Sequence, residues 1–482
     1  MSEPIVEWSA IALSDAIHAR EVSCVEVMRS YLDQIDRLNP RVNALVALRD
    51  PDACLAEARA ADDALARGDD RGWMHGFPQA PKDIAPVAGL VTTSGSPIHR
   101  DRVTTVDALP NARVRAAGAI FIGRSNTPEF GLGSNTYNPV YGLTRNAFDG
   151  SRIAGGSSGG AAVALALRML PVADGSDMMG SLRNPAGYNN VYGFRPSFGR
   201  VPNWPVDDVF FAQFSTIGPM ARSVADVARL LAVQAGPDAR VPFSLRDPGL
   251  GFAVPLRAPR AGLRIGWLGD LDGRLAIEPE VLSLCRGALA VLRTIGCDVE
   301  ATTMDFPAER LWDAWLTLRS ASVAASHGMH FDDPDERALL KPEALWEIER
   351  GRGLSALDVQ RASAERTAWY ASFVDLFERF DVLALPSAQM LPYDSSLPWP
   401  ATIDGRAMDT YHRWMEVVVP ATMGGLPALC VPAGFSDSGL PIGLQLIGPA
   451  RADRALLELG HAYEAACPWA GRRSPLLDAS AN

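Results

Sequence analysis

Three side chains in this sequence supply the parts of a hydroxyl-based acyl-transfer centre: Lys82, Ser157 and Ser181. Lys82 stands in the Pro- and Gly-punctuated stretch Gly76-Phe77-Pro78-Gln79-Ala80-Pro81-Lys82-Asp83. Ser157 lies in Gly155-Gly156-Ser157-Ser158-Gly159-Gly160, and Ser181, 24 residues further on, follows Gly175-Ser176-Asp177-Met178-Met179-Gly180. A serine hydroxyl is a poor nucleophile unless a neighbour takes its proton. A second hydroxyl donates and accepts at once and so can pass that proton along. A lysine can receive it when neutral, a state that burial favours by disfavouring the ammonium. Such chemistry needs neither histidine nor metal.

Each motif also has a bland reading. A Gly-rich serine tract can be a linker or a phosphate-cradling loop. A hydrophobic helix start at 161–167 argues against the linker, and the lack of a Gly-Lys-Ser/Thr ending argues against the phosphate loop. A single lysine is most often a solvated surface charge.

The elements that must position these residues are those of an ordinary globular protein. The chain has 482 residues, 48% hydrophobic and 21% charged, enough to bury a sizeable core. A net charge of −11 gives no electrostatic support to a nucleic-acid or anionic-membrane partner. The six cysteines form no CxxC pair and read as reduced packing residues of a cytoplasmic protein. The segment Met1-Ser2-Glu3-Pro4-Ile5-Val6-Glu7 lacks the basic and apolar regions of a signal peptide. The uncharged run 417–435 is interrupted by Pro420, Pro427 and Pro432, so it reads as buried strand and turn instead of a membrane span.

Ser23-Cys24-Val25-Glu26 has the form of a capping box. Met28, Tyr31, Leu32, Ile35 and Leu38 then give one apolar helical face, which Pro40 is expected to end. An alanine-rich helix is expected over 53–67, and further helices over 221–235 and 278–295. Short apolar runs at 119–123, 263–267, 382–385 and 429–431 read as buried strands. Strands alternating with helices predict an α/β fold, with a large mixed, mostly parallel twisted sheet covered by helices on both faces. Proline-rich residues 236–260 read as a loop within one domain, 1–482.

Taken together, the motifs resemble the amidase signature family. The stretch from Arg152-Ile153-Ala154-Gly155 through Arg183-Asn184-Pro185-Ala186 matches its signature, including the serine-to-serine interval. Arg124-Ser125-Asn126-Thr127-Pro128-Glu129-Phe130, Gly193-Phe194-Arg195-Pro196, residues 218–226 and residues 439–449 look like further landmarks of it. The resemblance covers roughly residues 10–465, with a signature core at 70–235. It implies a Ser–cis-Ser–Lys amidohydrolase with Ser181 as nucleophile, Ser157 as proton relay preceded by a cis peptide bond, and Lys82 as base. The backbone N–H groups of Met178, Met179, Gly180 and Ser181 would hold the oxyanion. Met179 stands where the family has glycine, which predicts a restricted φ and a narrower acyl pocket. Asp177 and Arg183 match a pair that braces this turn. Ser158 is expected to serve local backbone groups only.

No cofactor or metal is expected: His327 and His330 share helical spacing, but no HExxH or acidic pattern accompanies them. Substrate specificity is expected in a variable region, 300–420, rich in tryptophan. Trp312, Trp315 and Leu316 follow helical spacing and read as core, whereas Met390 and Trp399, in Pro-rich segments, read as pocket residues beside Met179. The implied substrate is a small aryl or apolar amide, with a carbamate (urethane) as a variant open to the same attack. The assembly is left open, a homodimer included. The alternative within the family is a glutamine amidotransferase-type subunit that delivers ammonia to a partner-bound acceptor.

Overall fold

A computed structural model of the protein describes residues 3–211 and 213–478; Met1 and Ser2, at the start of the amino-terminal segment without signal-peptide features, lie outside them. Eight strands form the central sheet: β1 (Ala173–Asp177), β2 (Tyr192–Arg195), β3 (Thr216–Ala221), β4 (Arg264–Trp267), β5 (Asp298–Ala301), β6 (Val382–Pro386), β7 (Ala428–Phe435) and β8 (Pro441–Ile447). Their spatial order is β5-β4-β6-β8-β7-β2-β3-β1. Residues from both halves of the sequence thus share one sheet. In β8 every residue is buried, and in β7 all but the last, so both faces of the sheet centre are covered.

The sheet is mixed, as expected, but parallel pairing is confined to one edge. β4 pairs in parallel with β5 and β6, while the other five ladders are antiparallel. The cause is the type of connection. A helix returns the chain between parallel neighbours, and Pro279–Thr294 does this between β4 and β5. β7 and β8 are instead joined by a tight reversal at residues 436–440, which forces antiparallel pairing.

Other expectations fare differently in detail. The capping box is present: Glu26 N donates to Ser23 Oγ and Ser23 N donates to the Glu26 carboxylate. Pro40 does not stop its helix, which runs Cys24–Val42 and ends at Asn43 in the left-handed region. The run 119–123 contributes only Ile120–Phe121, paired in parallel with Pro78–Gln79 outside the main sheet. The run 417–435 begins in a 3-10 turn (Arg413–Val418) and a short helix (Val419–Met423) before entering β7. Trp312 and Trp315 are fully buried on the helix Ala308–Asp332, as their spacing predicts. His327 and His330, on the same helix, stack on Phe130 at ring distances of 4.1 and 5.8 Å. Among the described residues no group of His, Cys, Asp and Glu could hold a metal ion, and no helix is long and apolar enough to cross a membrane.

Candidate active site

The extended segment that begins at Pro78–Gln79 delivers Lys82 to the interior, and a buried ion pair fixes it there. Arg124 lies 3.4 Å from Asp83, and its Nη2 donates to the carbonyls of Lys82 and Ala85 at 2.8 and 2.5 Å. Asp83 accepts in turn from Thr93 N and Oγ1. The Lys82 side chain ends among three hydroxyls, its Nζ lying 2.7 Å from Ser157 Oγ, 3.0 Å from Ser158 Oγ and 3.1 Å from Ser176 Oγ. Burial pushes the Lys82 amine down to about 7, against the opposing pull of Asp174 and Asp177. A neutral fraction therefore exists near pH 7.

The Gly-rich tract places Ser157 by close backbone approach. A β-carbon at Gly160 would stand 2.3 Å from Asn126 N and 2.5 Å from Ala44 O, so only glycine lets the helix Gly159–Ala166 start this close to its neighbours. The Gly156–Ser157 peptide bond is cis, as the resemblance implies. Ser158, read as a local backbone partner, does exchange contacts with Ser176, but its Oγ also accepts from Lys82.

Ser181 follows the turn that leaves β1. Asp177, the last residue of that strand, anchors the turn from beneath with its two oxygens. They accept from Gly180 N at 3.0 Å and Leu182 N at 3.2 Å, and from both ends of the Arg183 fork at 2.9 and 3.0 Å. Arg195 adds a second guanidinium at 3.2 Å. Burial alone would raise the Asp177 carboxyl, but the two arginines hold it well below the usual carboxylate range. Arg183 continues to Val418 O, Gln445 and Thr422, tying the turn to β8 and to the chain entering β7.

This anchoring changes the expected oxyanion set. Gly180 N is committed to Asp177 and is not free to meet an oxyanion. The N–H groups of Met178, Met179 and Ser181 have no acceptor among the described residues. Gly180 has φ +77°, and a β-carbon there would stand 2.9 Å from Val418 Cγ2. Met179 does not adopt positive φ. The turn therefore needs glycine at the second position of Met-Gly-Ser, and the methionine at the first is accommodated without the φ restriction its sequence position suggested.

Ser157, Ser176, Ser181, Met178 and Met179 border one partly open cavity of about 100 Å³. Ser181 Oγ has no hydrogen-bond partner among the described residues. The contact between Ser157 and Lys82 is thus made, while the Ser181 hydroxyl is left open to the cavity. Of the predicted pocket residues the structure brings only Met179 to this cavity. Trp399 packs edge-on to Tyr411, and Met390 accepts the Tyr188 hydroxyl on its carbonyl. Sequence reasoning missed Arg319 and His412, which border the cavity without belonging to any motif, and gave no role to Ser176, which stands within the signature stretch.

A family model described as Amidase matches residues 26–457. The chain belongs to the amidase signature family. It is an amidase, a hydrolase of carbon–nitrogen bonds other than peptide bonds. An acylamidase from Rhodococcus erythropolis is 30% identical to it over 478 residues, 98% of either chain. The crystal structure of a bacterial aryl acylamidase of the same family matches with a TM-score of 0.90 and 29% identity, covering 98% of this chain and 100% of the other. A glutamyl-tRNA(Gln) amidotransferase subunit from Thermosynechococcus vestitus is 33% identical over 477 residues, 93% of this chain and 96% of its own.

Proposed function

We propose that this amidase hydrolyses small aryl or apolar amides through an acyl-enzyme on Ser181. The observation that carries the reading is the 2.7 Å contact between Lys82 Nζ and Ser157 Oγ beside a cavity that also exposes Ser181. Neutral Lys82 takes the Ser157 proton as Ser157 Oγ takes that of Ser181, whose oxygen attacks the carbonyl carbon. The free N–H groups of Met178, Met179 and Ser181 receive the oxyanion; a single donor of this kind is typically worth about 3 kcal/mol in the transition state. When the C–N bond breaks, the proton returns through Ser157 to the leaving amine. Water then repeats the sequence on the ester and frees the acid. The residues 1–482 act as one domain in this reading, and the small molecule is the only partner the chemistry requires.

The acylamidase and aryl acylamidase relatives favour an aryl amide. A carbamate carbonyl is open to the same attack, so aryl carbamates belong in the substrate test. The experiment is a panel of aliphatic amides, anilides and nitrophenyl carbamates offered to the purified protein alone, with amine or phenol release followed. Turnover of anilides supports the proposal, and no turnover of any member sinks it. The second reading, a subunit that passes ammonia to a partner-bound acceptor, is favoured by the amidotransferase relatives. Glutamine-dependent ammonia transfer that appears only with a partner and ATP would establish it instead.

A further inference from the structure

His412 and Arg319 border the same cavity as Ser157 and Ser181, and neither has a part in the proton relay. His412 is 3% exposed, and both of its ring nitrogens are buried without a hydrogen-bond partner. Buried polar groups are almost always paired, so an imidazole with two idle nitrogens beside a substrate cavity calls for a ligand. The rings of Tyr411, Trp312 and Trp346 surround it at 4.5, 5.2 and 5.8 Å, fixing its place without satisfying its nitrogens.

Arg319 has one idle arm of its own. Its Nε and Nη2 donate to Glu347 at 2.5 Å and to the Tyr411 hydroxyl at 2.8 Å. Its Nη1 meets only Met178 Sδ, at 3.6 Å, and a thioether is a weak acceptor. Glu347 is held further by Ser320 Oγ, so this guanidinium already has its counter-charge. Burial, together with Arg319, Arg350 and Arg413, keeps the His412 imidazole neutral, with one N–H to give. The site offers two donors and no unbalanced charge. An oxygen acceptor without formal charge suits it; a carboxylate would bring a charge that nothing there offsets.

We propose that His412 and Arg319 form a second polar contact for substrate, which binds a neutral hydrogen-bond-accepting substituent other than the scissile carbonyl, such as a ring-borne ketone. This deepens, and rests on, the aryl-amide reading above. The preferred substrates would then be aryl amides carrying such an acceptor, and plain anilides would bind less well.

The test separates binding from turnover. In the Ser181→Ala variant, acetophenone should bind about tenfold more tightly by calorimetry than isopropenylbenzene, which has the same shape without the oxygen; that is the usual size of one added hydrogen bond. With His412→Phe added, the ratio should fall to within about twofold, and with His412→Gln, which keeps a donor, part of it should return. Equal affinity for the two ligands in Ser181→Ala, or an unchanged ratio with His412→Phe, would overturn the proposal. If the wild-type protein hydrolyses no anilide while the His412-dependent ratio holds, the polar contact stands and the aryl-amide reading fails.

Discussion

Residues 155–195 and residues 312–412 both reach the cavity and both bury polar groups beside it, yet they treat those groups in different ways. In the first region the charges of Asp177, Arg183 and Arg195 around the Ser181 turn are paired with one another. Asp177 accepts four bonds from the turn and Arg183, and Arg183 passes the connection to Gln445, whose amide donates to Pro386 O and Val417 O. In the second region His412 has no partner, and one arm of Arg319 touches only sulfur. A saturated network fixes one geometry, as positioned nucleophiles and oxyanion donors require. An unsaturated one leaves bonds for a ligand to make. In the reading proposed here, the chemistry belongs to the first region and the choice of substrate to the second.

Five substitutions test that division, beginning with the most damaging. Ser181→Ala should lower kcat by at least about 10⁴-fold, the scale of losing a nucleophile. A fluorophosphonate should add mass to the peptide containing Ser181 in the wild type and not in the variant; label on Ser157 would reverse the two assignments. Lys82→Ala should cost about 10² to 10⁴ in acylation rate, as the loss of a general base does. In the wild type, kcat/KM should rise with pH through about 7, because the base exists only after the buried ammonium has lost its proton. A rate that rises only near the ordinary lysine value of about 10.4 would remove burial from the mechanism.

Gly180→Ala comes next. Its β-carbon meets Val418 at a positive φ, so the turn must shift and the free N–H groups move with it. We expect kcat to fall by about 10² while KM changes little. A loss confined to KM would mean that the turn binds substrate without stabilising the oxyanion. The mildest pair lies in the variable region. Met390→Ala and Trp399→Ala should leave kcat/KM for anilides within about threefold, since neither residue borders the cavity. A larger fall accompanied by an unchanged melting temperature would place them in the site after all.

The contrast also sets what the sequence could reveal. Lys82, Ser157 and Ser181 were legible because each stands in a short motif whose glycines and prolines dictate the path. The lowered pKa of Lys82 was legible in kind, since it follows from burial, but its three-hydroxyl surround was not. Ser158 and Ser176 lie 18 residues apart and meet only through packing. The bond from Gly180 N to Asp177 was hidden for a related reason: it depends on which way the Asp177 carboxylate turns. In the second region nothing local distinguishes a tryptophan in the core from one at a cavity. Helical spacing assigned Trp312 and Trp315 to packing, where they are buried, while Met390 and Trp399, expected at the pocket from their Pro-rich setting, do not border the cavity beside Ser181. His412 belongs to no motif, and its significance comes from what fails to touch it. The parallel sheet was overestimated because alternation of strand and helix does not reveal which strands are joined by hairpins.

The six cysteines carry a practical consequence. All are buried as free thiols. Burial pushes Cys24 and Cys430 up to about 12 and Cys297 up to about 11, and raises Cys54, Cys285 and Cys467 as well. Thiolates, the reactive form, are therefore scarce at neutral pH. To an electrophile the folded protein presents almost no thiolate. Iodoacetamide should leave it active, and a reagent that does inactivate it acts on a group other than cysteine.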